Sequence, residues 1–472
     1  MKIIGRKAEK ELLSLCLRSK RPEFLAVYGR RRVGKTFLIR EYCSEHIVFS
    51  ISGSVNTPMK RQLSNFREAL EEYSGSSVEP PKDWFDAFRL LKQYLKGLTG
   101  KDKKVVFIDE LPWLATQKSG FLPALDHFWN TYASTHEDIL LIICGSATSW
   151  IIDNVINDRG GLHNRVTKQM WIEPFSLGEC EAFYKSNEIE LSRNQIAELY
   201  MVFGGIPYYM NYVEKGKSPE QIVDRMFFDK NAPLKNEFEN LYAALFKNTN
   251  HHLRIIESLG KSQSGMTQKE LWDDMGVVPG GSIVKALNEL ELCGFVRHYR
   301  EFTKKKSGQY YQLIDFYTIF YLKHLKNRVE QDVSCWQNQS SSGSRNAWNG
   351  FAFERLCATH INEIKHKLGI SGVTTEMSAW RSKHSIPGVQ IDLVISRNDG
   401  IINLCEMKYT GKPFKIDSTY DLSLMQKRET FREETATKKA LHVTMVTSNG
   451  LAAGSYLGTV QAQIEMDDLF YT

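Results

Sequence analysis

The strongest constraint on this chain is an eight-residue stretch, GRRRVGKT at residues 29–36, that matches the phosphate-binding pattern G-x-x-x-x-G-K-[ST]. A short apolar run (24–28) precedes it, and a helical stretch follows it. Glycines let backbone N–H groups turn inward around phosphate oxygens, and the positive end of the following helix faces the same anion. The pattern predicts that Lys35 reaches the β- and γ-phosphates and that Thr36 ligates Mg²⁺. The predicted nucleotide-binding residues of the loop are Gly29, Arg30, Arg31, Arg32, Val33, Gly34, Lys35 and Thr36.

Two further apolar runs, 105–108 and 139–144, alternate with helical patterns and predict a buried parallel sheet. Ligands bind at the carboxyl ends of such strands. The first run ends in Asp109, predicted to hold Mg²⁺ through water, and in Glu110, the predicted catalytic residue that polarises the attacking water. The second run is followed by Ser146, which either senses the γ-phosphate or lies in an ordinary strand-ending turn.

Composition sets the protein class. The length of 472 residues suggests roughly three domains. A hydrophobic content of 42% with 25% charged residues excludes collagen-like and wholly disordered chains. The net charge of +6 is compatible with a nucleic-acid partner without requiring one. The apolar runs are too short to cross a membrane, and the eight cysteines are scattered, so we expect a cytoplasmic protein without a membrane partner.

Residues 176–248 have helical periodicity that breaks near Gly204-Gly205-Ile206-Pro207. Further helical candidates lie at 251–259, 267–275 and 282–292. Thr267 and Ser282 are predicted to cap the last two. A hairpin with a basic turn at 303–308 follows, and together these elements predict a winged helix that either contacts DNA or packs within the molecule. Residues 331–349, rich in Ser, Gln and Asn, are predicted to be a linker.

The segment from 350 to 472 has the pattern helix, three strands, helix, strand. One strand contains Asp392, and the next places Glu406 and Lys408 on a single face. Charges inside apolar strands are costly unless they are paired or bound to metal. Asp392 and Glu406 are therefore predicted metal ligands, and Asp392, Glu406 and Lys408 are predicted catalytic residues for phosphodiester cleavage, with Glu354 as a third carboxylate. The alternative is that these charges lie at an exposed strand edge.

Three motifs in order, GRRRVGKT, VVFIDELPWL and IICGSATSW, resemble those of the archaeal-type ATPases, an AAA-like, signal-transducing branch of P-loop ATPases. The resemblance implies ATP and Mg²⁺ as cofactors and a helical lid after the core. Ile4-Gly5-Arg6 is similar to the family's adenine-side motif, and Pro207 to the lid proline that lies against the nucleotide. Arg165 stands at the position of a possible arginine finger, although Leu162-His163-Asn164 departs from the family's Leu-Tyr-Gly, so a structural salt bridge is an equal alternative.

A second resemblance covers the C-terminal segment. Asp392 followed by Glu406-Met407-Lys408 resembles the PD-(D/E)xK nuclease superfamily, which implies a restriction-endonuclease-like α/β domain. The archaeal-type ATPases often carry such a domain.

The sequence thus predicts an α/β multidomain protein. The expected parts are a P-loop ATPase core at 1–175, a helical lid at 176–248, a winged helix at 249–330, a linker at 331–349 and a nuclease-like domain at 350–472. The expected function is an ATP-binding and ATP-hydrolysing switch coupled to a metal-dependent, nuclease-like domain acting on DNA or RNA. The alternative is a nucleotide-gated regulatory or scaffold protein whose C-terminal domain only binds nucleic acid or a protein partner. The sequence does not indicate the oligomeric state.

Overall fold

A parallel sheet forms the centre of the N-terminal part of the chain, and a mixed sheet runs through the rest. The computed structural model describes residues 2–100, 102–157, 162, 164–246, 248–302, 308–328, 335–338, 342–382, 385 and 388–471. The chain divides into two units, Met1–Pro174 and Phe175–Thr472. His163 and the three lysines of the predicted basic turn, residues 304–306, lie outside the described residues.

The first unit alternates strands with helices, as its apolar runs predict. Its strands are β1 Glu23–Gly29, β2 Ile47–Ser52, β3 Lys104–Asp109, β4 Ile139–Gly145 and β5 Lys168–Ile172. Its helices are α1 Lys7–Arg18, α2 Lys35–Tyr42, α3 Met59–Ser74, α4 Trp84–Gly97, α5 Leu111–Leu114, α6 Phe121–Thr131 and α7 Thr148–Ile151, with a 3₁₀ turn at Ala133–Thr135 and a π-helical turn at Ile152–Ile156.

The five strands of this unit pair in the order β2-β3-β4-β1-β5, and every pairing is parallel. Residues of β1, β3 and β4 are almost completely buried, since helices cover both faces of such a sheet. Strand β4 lies between β1 and β3, so the segments that follow these three strands meet at one edge. The strands that lead to Asp109 and Ser146 are therefore neighbours in the sheet.

The second unit begins with helices and ends in an α/β segment. Its helices are α8 Leu177–Ser186, α9 Arg193–Phe203, α10 Pro207–Met210, α11 Pro219–Val223, α12 Glu237–Leu245, α13 Asn250–Lys261, α14 Gln268–Met275, α15 Gly281–Leu292, α16 Phe316–Phe320, α17 Cys335–Asn338, α18 Gly343–Thr359, α19 Ile361–Lys367 and α20 Ser418–Thr435, with π-helical turns at Asp224–Phe228 and Tyr321–Leu325 and a 3₁₀ turn at Met466–Phe470. None of the described helices combines the length and apolar character needed to cross a membrane.

The strands of the second unit form one sheet that runs through both of its halves. They are β6 Met266–Thr267, β7 Val296–Glu301, β8 Gln309–Leu313, β9 Thr375–Arg381, β10 Gln390–Arg397, β11 Ile401–Lys408, β12 Ala440–Thr447 and β13 Val460–Glu465. Their order is β13-β12-β11-β10-β9-β7-β8-β6. The β7–β8 hairpin joins the C-terminal strands because β7 pairs with β9 in parallel, Arg300 opposite Ser378 and Glu301 opposite Ala379.

Several local expectations differ from the structure. Thr267 caps α14 in a capping box with Glu270, as predicted. In contrast, α15 begins one residue before Ser282, and its N-cap residue, Gly280, makes no side-chain cap bond, so the predicted cap at Ser282 is wrong. The C-terminal segment has a second helix before its strands and a second strand after α20.

The described part of the predicted linker is helical rather than irregular. Cys335–Asn338 is a helical turn, and residues 343–349 are the first two turns of α18. Ser342 starts α18, because its hydroxyl accepts a hydrogen bond from the backbone N–H of Arg345 at 3.1 Å. Trp336 is buried and the Arg345 guanidinium lies 3.7 Å from its ring centroid. The polar composition of this segment therefore gave no sign of its helical structure, in which Trp336 is buried.

We expect Gly205→Ala to destabilise the second unit. The Gly205 carbonyl accepts a hydrogen bond from the Phe175 backbone N–H at 2.6 Å, and a Cβ at Gly205 would lie 2.0 Å from the Phe175 carbonyl oxygen. Relieving that clash requires a backbone shift, which typically costs about 1–3 kcal/mol. Thermal unfolding followed by circular dichroism should show a lower midpoint for this variant. Gly281→Ala is the matched control because its Cβ meets no heavy atom within 4 Å, and equal midpoints for the two variants would contradict the argument.

Candidate functional site

The loop after β1 adopts the backbone conformation that a phosphate-binding turn requires. Arg32 has φ 71° and Gly34 has φ 92°, both in the left-handed region, and Lys35 begins α2. At the start of the loop, a Cβ on Gly29 would lie 2.3 Å from the Ile172 carbonyl oxygen, so only glycine fits there. The glycines thus let the chain turn sharply between strand and helix.

Lys35 is folded into this loop. Its side chain is buried, and Nζ donates to the carbonyl oxygens of Gly29 and Arg30, at 2.8 Å each. The ammonium group is thereby held at the centre of the turn, beside the N-terminus of α2. This is the position from which it can bind phosphate oxygens.

Thr36 and Asp109, the two predicted Mg²⁺ ligands of the loop, contact each other directly. Thr36 Oγ1 donates to Asp109 Oδ2 at 2.8 Å, and the Glu110 backbone N–H donates to Asp109 Oδ1 at 2.9 Å. Asp109 is buried at the end of β3. A hydroxyl and a carboxylate are the hard oxygen donors that Mg²⁺ prefers, so these residues fit a nucleotide-bound magnesium ion.

Glu110 and Ser146 also meet at this edge of the sheet. Ser146 Oγ donates to Glu110 Oε1 at 2.9 Å. Glu110 has φ 48°, and a Cβ on Gly53 would lie 2.5 Å from the Glu110 carbonyl oxygen. Gly53, which follows β2, packs closely against the backbone of Glu110. The Ser146 hydroxyl holds the Glu110 carboxylate in place.

Arg6 is a residue whose structural role the motif alone does not reveal. It adopts φ 56°, is buried, and donates to the Val33 carbonyl at 2.9 Å and to the Glu173 carbonyl at 2.7 Å. The side chain therefore ties the phosphate-binding loop to the segment that follows β5. Its place next to Gly5 in the Ile4-Gly5-Arg6 motif is the only sequence signal for it.

The side chains of the remaining predicted nucleotide residues differ in burial and in place along the chain. Arg30 is buried, whereas Arg31 and Arg32 are half-buried. Arg165 is exposed, and its backbone N–H donates to the Leu162 carbonyl at 3.0 Å. Pro207 begins the short helix α10 in the second unit. The roles of Arg165 and Pro207 at the nucleotide therefore stay predictions.

Comparison with known proteins agrees with this geometry. Residues 4–213 match the family model described as an ATPase domain predominantly from Archaea. This region is an archaeal-type ATPase domain. The match supports nucleotide binding and ATP hydrolysis by the ATPase domain.

Similar chains and structures extend the comparison. The uncharacterized protein MJECL04 of Methanocaldococcus jannaschii is 24% identical over 415 residues, which are 86% of this chain and 87% of that protein. The Walker-type ATPase PABY2304 of Pyrococcus abyssi is 18% identical, with a TM-score of 0.52 over 68% of this chain and 96% of its own. The Aeropyrum pernix ORC2 protein, solved as ADPNP–ADP complexes, is 14% identical, with a TM-score of 0.41 over 68% and 93% of the two chains. The Pyrococcus structure shows that the fold is shared.

A second cluster of charges lies in the second unit, beyond the ATPase domain, around Glu406 on β11. Its Oε1 accepts from Tyr420 at 2.8 Å and lies 3.0 Å from Lys408 Nζ, and its Oε2 accepts from Lys427 Nζ at 2.7 Å. Burial would raise the pKa of Glu406, but the ammonium groups of Lys427 and Lys408 hold it below its ordinary value. Helix α20 supplies both Tyr420 and Lys427, and no motif in the sequence marks either residue as part of a site.

Glu354 and Asp392 lie beside this ion-pair group. The register of β10 and β11 pairs Leu393 with Cys405, which brings Asp392 opposite Glu406 one step further along. Burial and then the charge of Asp392 raise the pKa of Glu354 to about 7, while Lys408 partly opposes them. The structure therefore brings together the four residues predicted for the C-terminal site.

The C-terminal cluster does not form a ready-made metal site. Asp392 and Glu406 supply suitable oxygen donors, but both oxygens of Glu406 are already bound to Lys408, Lys427 and Tyr420. Across the described ranges, no group of three or more His, Cys, Asp or Glu side chains is arranged to hold a metal ion. Unlike Thr36 and Asp109, these residues do not fit a divalent ion as they stand.

Proposed function

We propose that the protein is an ATP-hydrolysing switch whose second unit carries a nuclease-like site acting on nucleic acid. The observation that carries the proposal is the convergence of Glu354, Asp392, Glu406 and Lys408 in a unit other than the one that contains the phosphate-binding loop. A chain with a nucleotide site in one unit and a charged site in another is suited to making the second depend on the first.

In the ATPase domain, each contact supports one step of hydrolysis. Lys35 binds the β- and γ-phosphates, and Glu110, positioned by Ser146, orients the attacking water. Thr36 and Asp109 would hold Mg²⁺, which neutralises charge on the phosphates. In this proposal Pro207 lies against the nucleotide, and Arg165 stabilises the transition state or forms a structural salt bridge.

In the second unit, Glu354 is the residue suited to proton transfer. A carboxyl group with a pKa of about 7 accepts and returns a proton near neutral pH. In phosphodiester hydrolysis a water oxygen bonds to phosphorus as the bond to the leaving oxygen breaks. Glu354 takes the water proton, the leaving oxygen takes a proton from solvent, and Lys408 stabilises the charge that develops on the phosphoryl oxygens. Glu354 then returns its proton to solvent.

The test is cleavage of single- and double-stranded DNA and RNA, measured without nucleotide, with ADP and with ATP, across a magnesium titration. We expect Lys408→Ala and Asp392→Asn to lower cleavage roughly 100-fold, because each removes a charge that acts in the transition state. Lys412→Ala, an exposed lysine beyond the end of β11, is the matched control and should stay within about 2-fold of wild type. Cleavage that survives in Lys408→Ala would contradict the assignment of this site.

The ion pairs of Glu406 favour a second candidate, a nucleotide-gated regulatory protein whose second unit binds nucleic acid or a protein without cleaving it. Because lysines occupy both of its oxygens, the Glu406 carboxylate is not available to a metal ion. Binding of nucleic acid without cleavage in every nucleotide state, with ATP turnover intact, would favour this candidate.

A further inference from the structure

A cavity in the second unit lies between the β7–β8 hairpin and the C-terminal strands. Three arginines from different elements line it: Arg297 on β7, Arg355 on α18 and Arg381 on β9. Three carboxylates, Glu301, Glu354 and Asp392, line the same cavity. The hairpin, which belongs to the predicted winged helix, therefore contributes to the wall of the C-terminal site.

The hydrogen bonds of these guanidinium groups go to neutral oxygens. Arg297 donates to Gln312 Oε1 at 2.8 Å and to the Ala358 carbonyl at 3.3 Å. Arg355 donates to the Gln263 carbonyl, and Arg381 donates to Ser264 Oγ. The contacts orient the three cations without neutralising them.

Arg355 has unused hydrogen-bonding capacity. Its side chain is only 4% exposed, and within the described ranges its buried Nε–H has no hydrogen-bond partner. Burial and then the nearby charge of Arg297 lower the pKa of Arg355 to about 9, and burial lowers that of Arg297 to about 10. Both remain protonated at neutral pH, so two cations face one cavity. Glu354 and Asp392 offset part of the charge of Arg355, and a bound anion offsets more of the cost of burying these cations.

We propose that Arg297, Arg355 and Arg381 bind a phosphate group of a nucleic-acid strand and so position the adjoining phosphodiester at Glu354 and Asp392. Guanidinium groups suit this role because their planar N–H pairs match phosphate oxygens in a bidentate manner. The inference deepens the proposed function, on which it rests for the identity of the ligand as nucleic acid. These arginines are binding and positioning residues, and the hairpin is an integral part of the site.

The experiment measures binding by the full chain, with saturating ADP in the phosphate-binding loop, and gel electrophoresis of each probe after the titration confirms that it is uncleaved. The probes are 15-nucleotide, fluorescein-labelled single-stranded DNA, duplex DNA and RNA, followed by anisotropy, with inorganic phosphate as the competing small anion. Arg297→Gln and Arg381→Gln are compared with the control Arg300→Gln, an exposed arginine on the opposite face of β7. Arg381 is exposed, so its variant remains informative if Arg297→Gln melts early.

We expect the dissociation constant of the best probe to rise at least about 10-fold in Arg297→Gln and Arg381→Gln, and less than about 3-fold in Arg300→Gln. Equal effects in all three variants would overturn the inference, and cleavage by wild type would then leave the proposed function standing. Loss of binding specific to Arg297→Gln and Arg381→Gln, in a wild type that never cleaves, would support the inference while removing the nuclease function. Binding of inorganic phosphate alone, or of no probe, would overturn it.

Discussion

Lys35→Ala is expected to raise the dissociation constant for ATP at least about 100-fold, and with it to remove ATP turnover. The reason is that Lys35 is buried at the centre of the phosphate-binding loop, with Nζ held between the Gly29 and Arg30 carbonyl oxygens. Lys35 is the first residue of α2 and its only lysine, whereas Arg40 lies in the last turn of the helix. Calorimetric titration with ATP measures the effect, and Lys20→Ala, which changes an exposed lysine, should bind as wild type does.

Glu110→Gln distinguishes binding from chemistry at the same site. The substitution keeps an oxygen that accepts from Ser146 Oγ but removes the negative charge that polarises water. We expect ATP to bind within about 3-fold of wild type, while turnover falls at least about 100-fold. Turnover that persists in Glu110→Gln would show that another residue activates the water, and loss of binding would show that Glu110 is structural.

Glu354→Gln is expected to change both the stability and the pH dependence of the protein. Burial and Asp392 raise the pKa of Glu354 from 4.5 to about 7. Between these values the folded state retains a proton that the unfolded state releases, so stability falls as pH rises from about 4.5 to about 7. The full difference is about 3 kcal/mol at most. Glutamine has no charge to bury, so the variant should be more stable than wild type above pH 7.

Denaturant unfolding at a series of pH values measures this effect, with the exposed Glu376→Gln as the control. Cleavage gives a second measurement, because a base with a pKa of about 7 makes the rate increase with pH up to that value. In Glu354→Gln the residual rate should be at least about 100-fold lower and lose this rise. A stability profile identical to that of wild type would contradict the burial of this carboxyl group.

The local parts of this fold could be predicted because their signals are contiguous in sequence. Buried parallel strands appear as apolar runs, and Gly29, Gly34 and Lys35 mark the turn between a strand and a helix. Asp109 and Ser146 could be placed on neighbouring strands because successive parallel strands bring their carboxyl ends to one edge. Thr36 follows the loop at the same edge of the sheet, and its hydroxyl is therefore close enough to donate a hydrogen bond to Asp109.

The rest depended on contacts between distant segments. Lys427 and Tyr420 reach Glu406 from a helix whose sequence offers no motif. Arg297 lies in the predicted winged helix, and nothing local indicates that its strand joins the C-terminal sheet. The prediction of a linker was wrong for a related reason. Trp336 is buried by residues distant in the sequence, while its neighbours along the chain are polar.

Because β7 pairs with β9, we do not expect the C-terminal segment to fold as an independent unit when it is moved into another protein. Beyond the two paired positions, the Phe302 backbone N–H donates to the Ala379 carbonyl at 3.1 Å, and the Phe302 ring packs 4.9 Å from that of Phe431. A fragment beginning at Gly343 would leave β9 as a bare edge strand with an uncovered aromatic core, a surface prone to pair with another copy. Gene fusion or truncation is therefore expected to succeed only when the fragment includes the β7–β8 hairpin together with the strands that it borders.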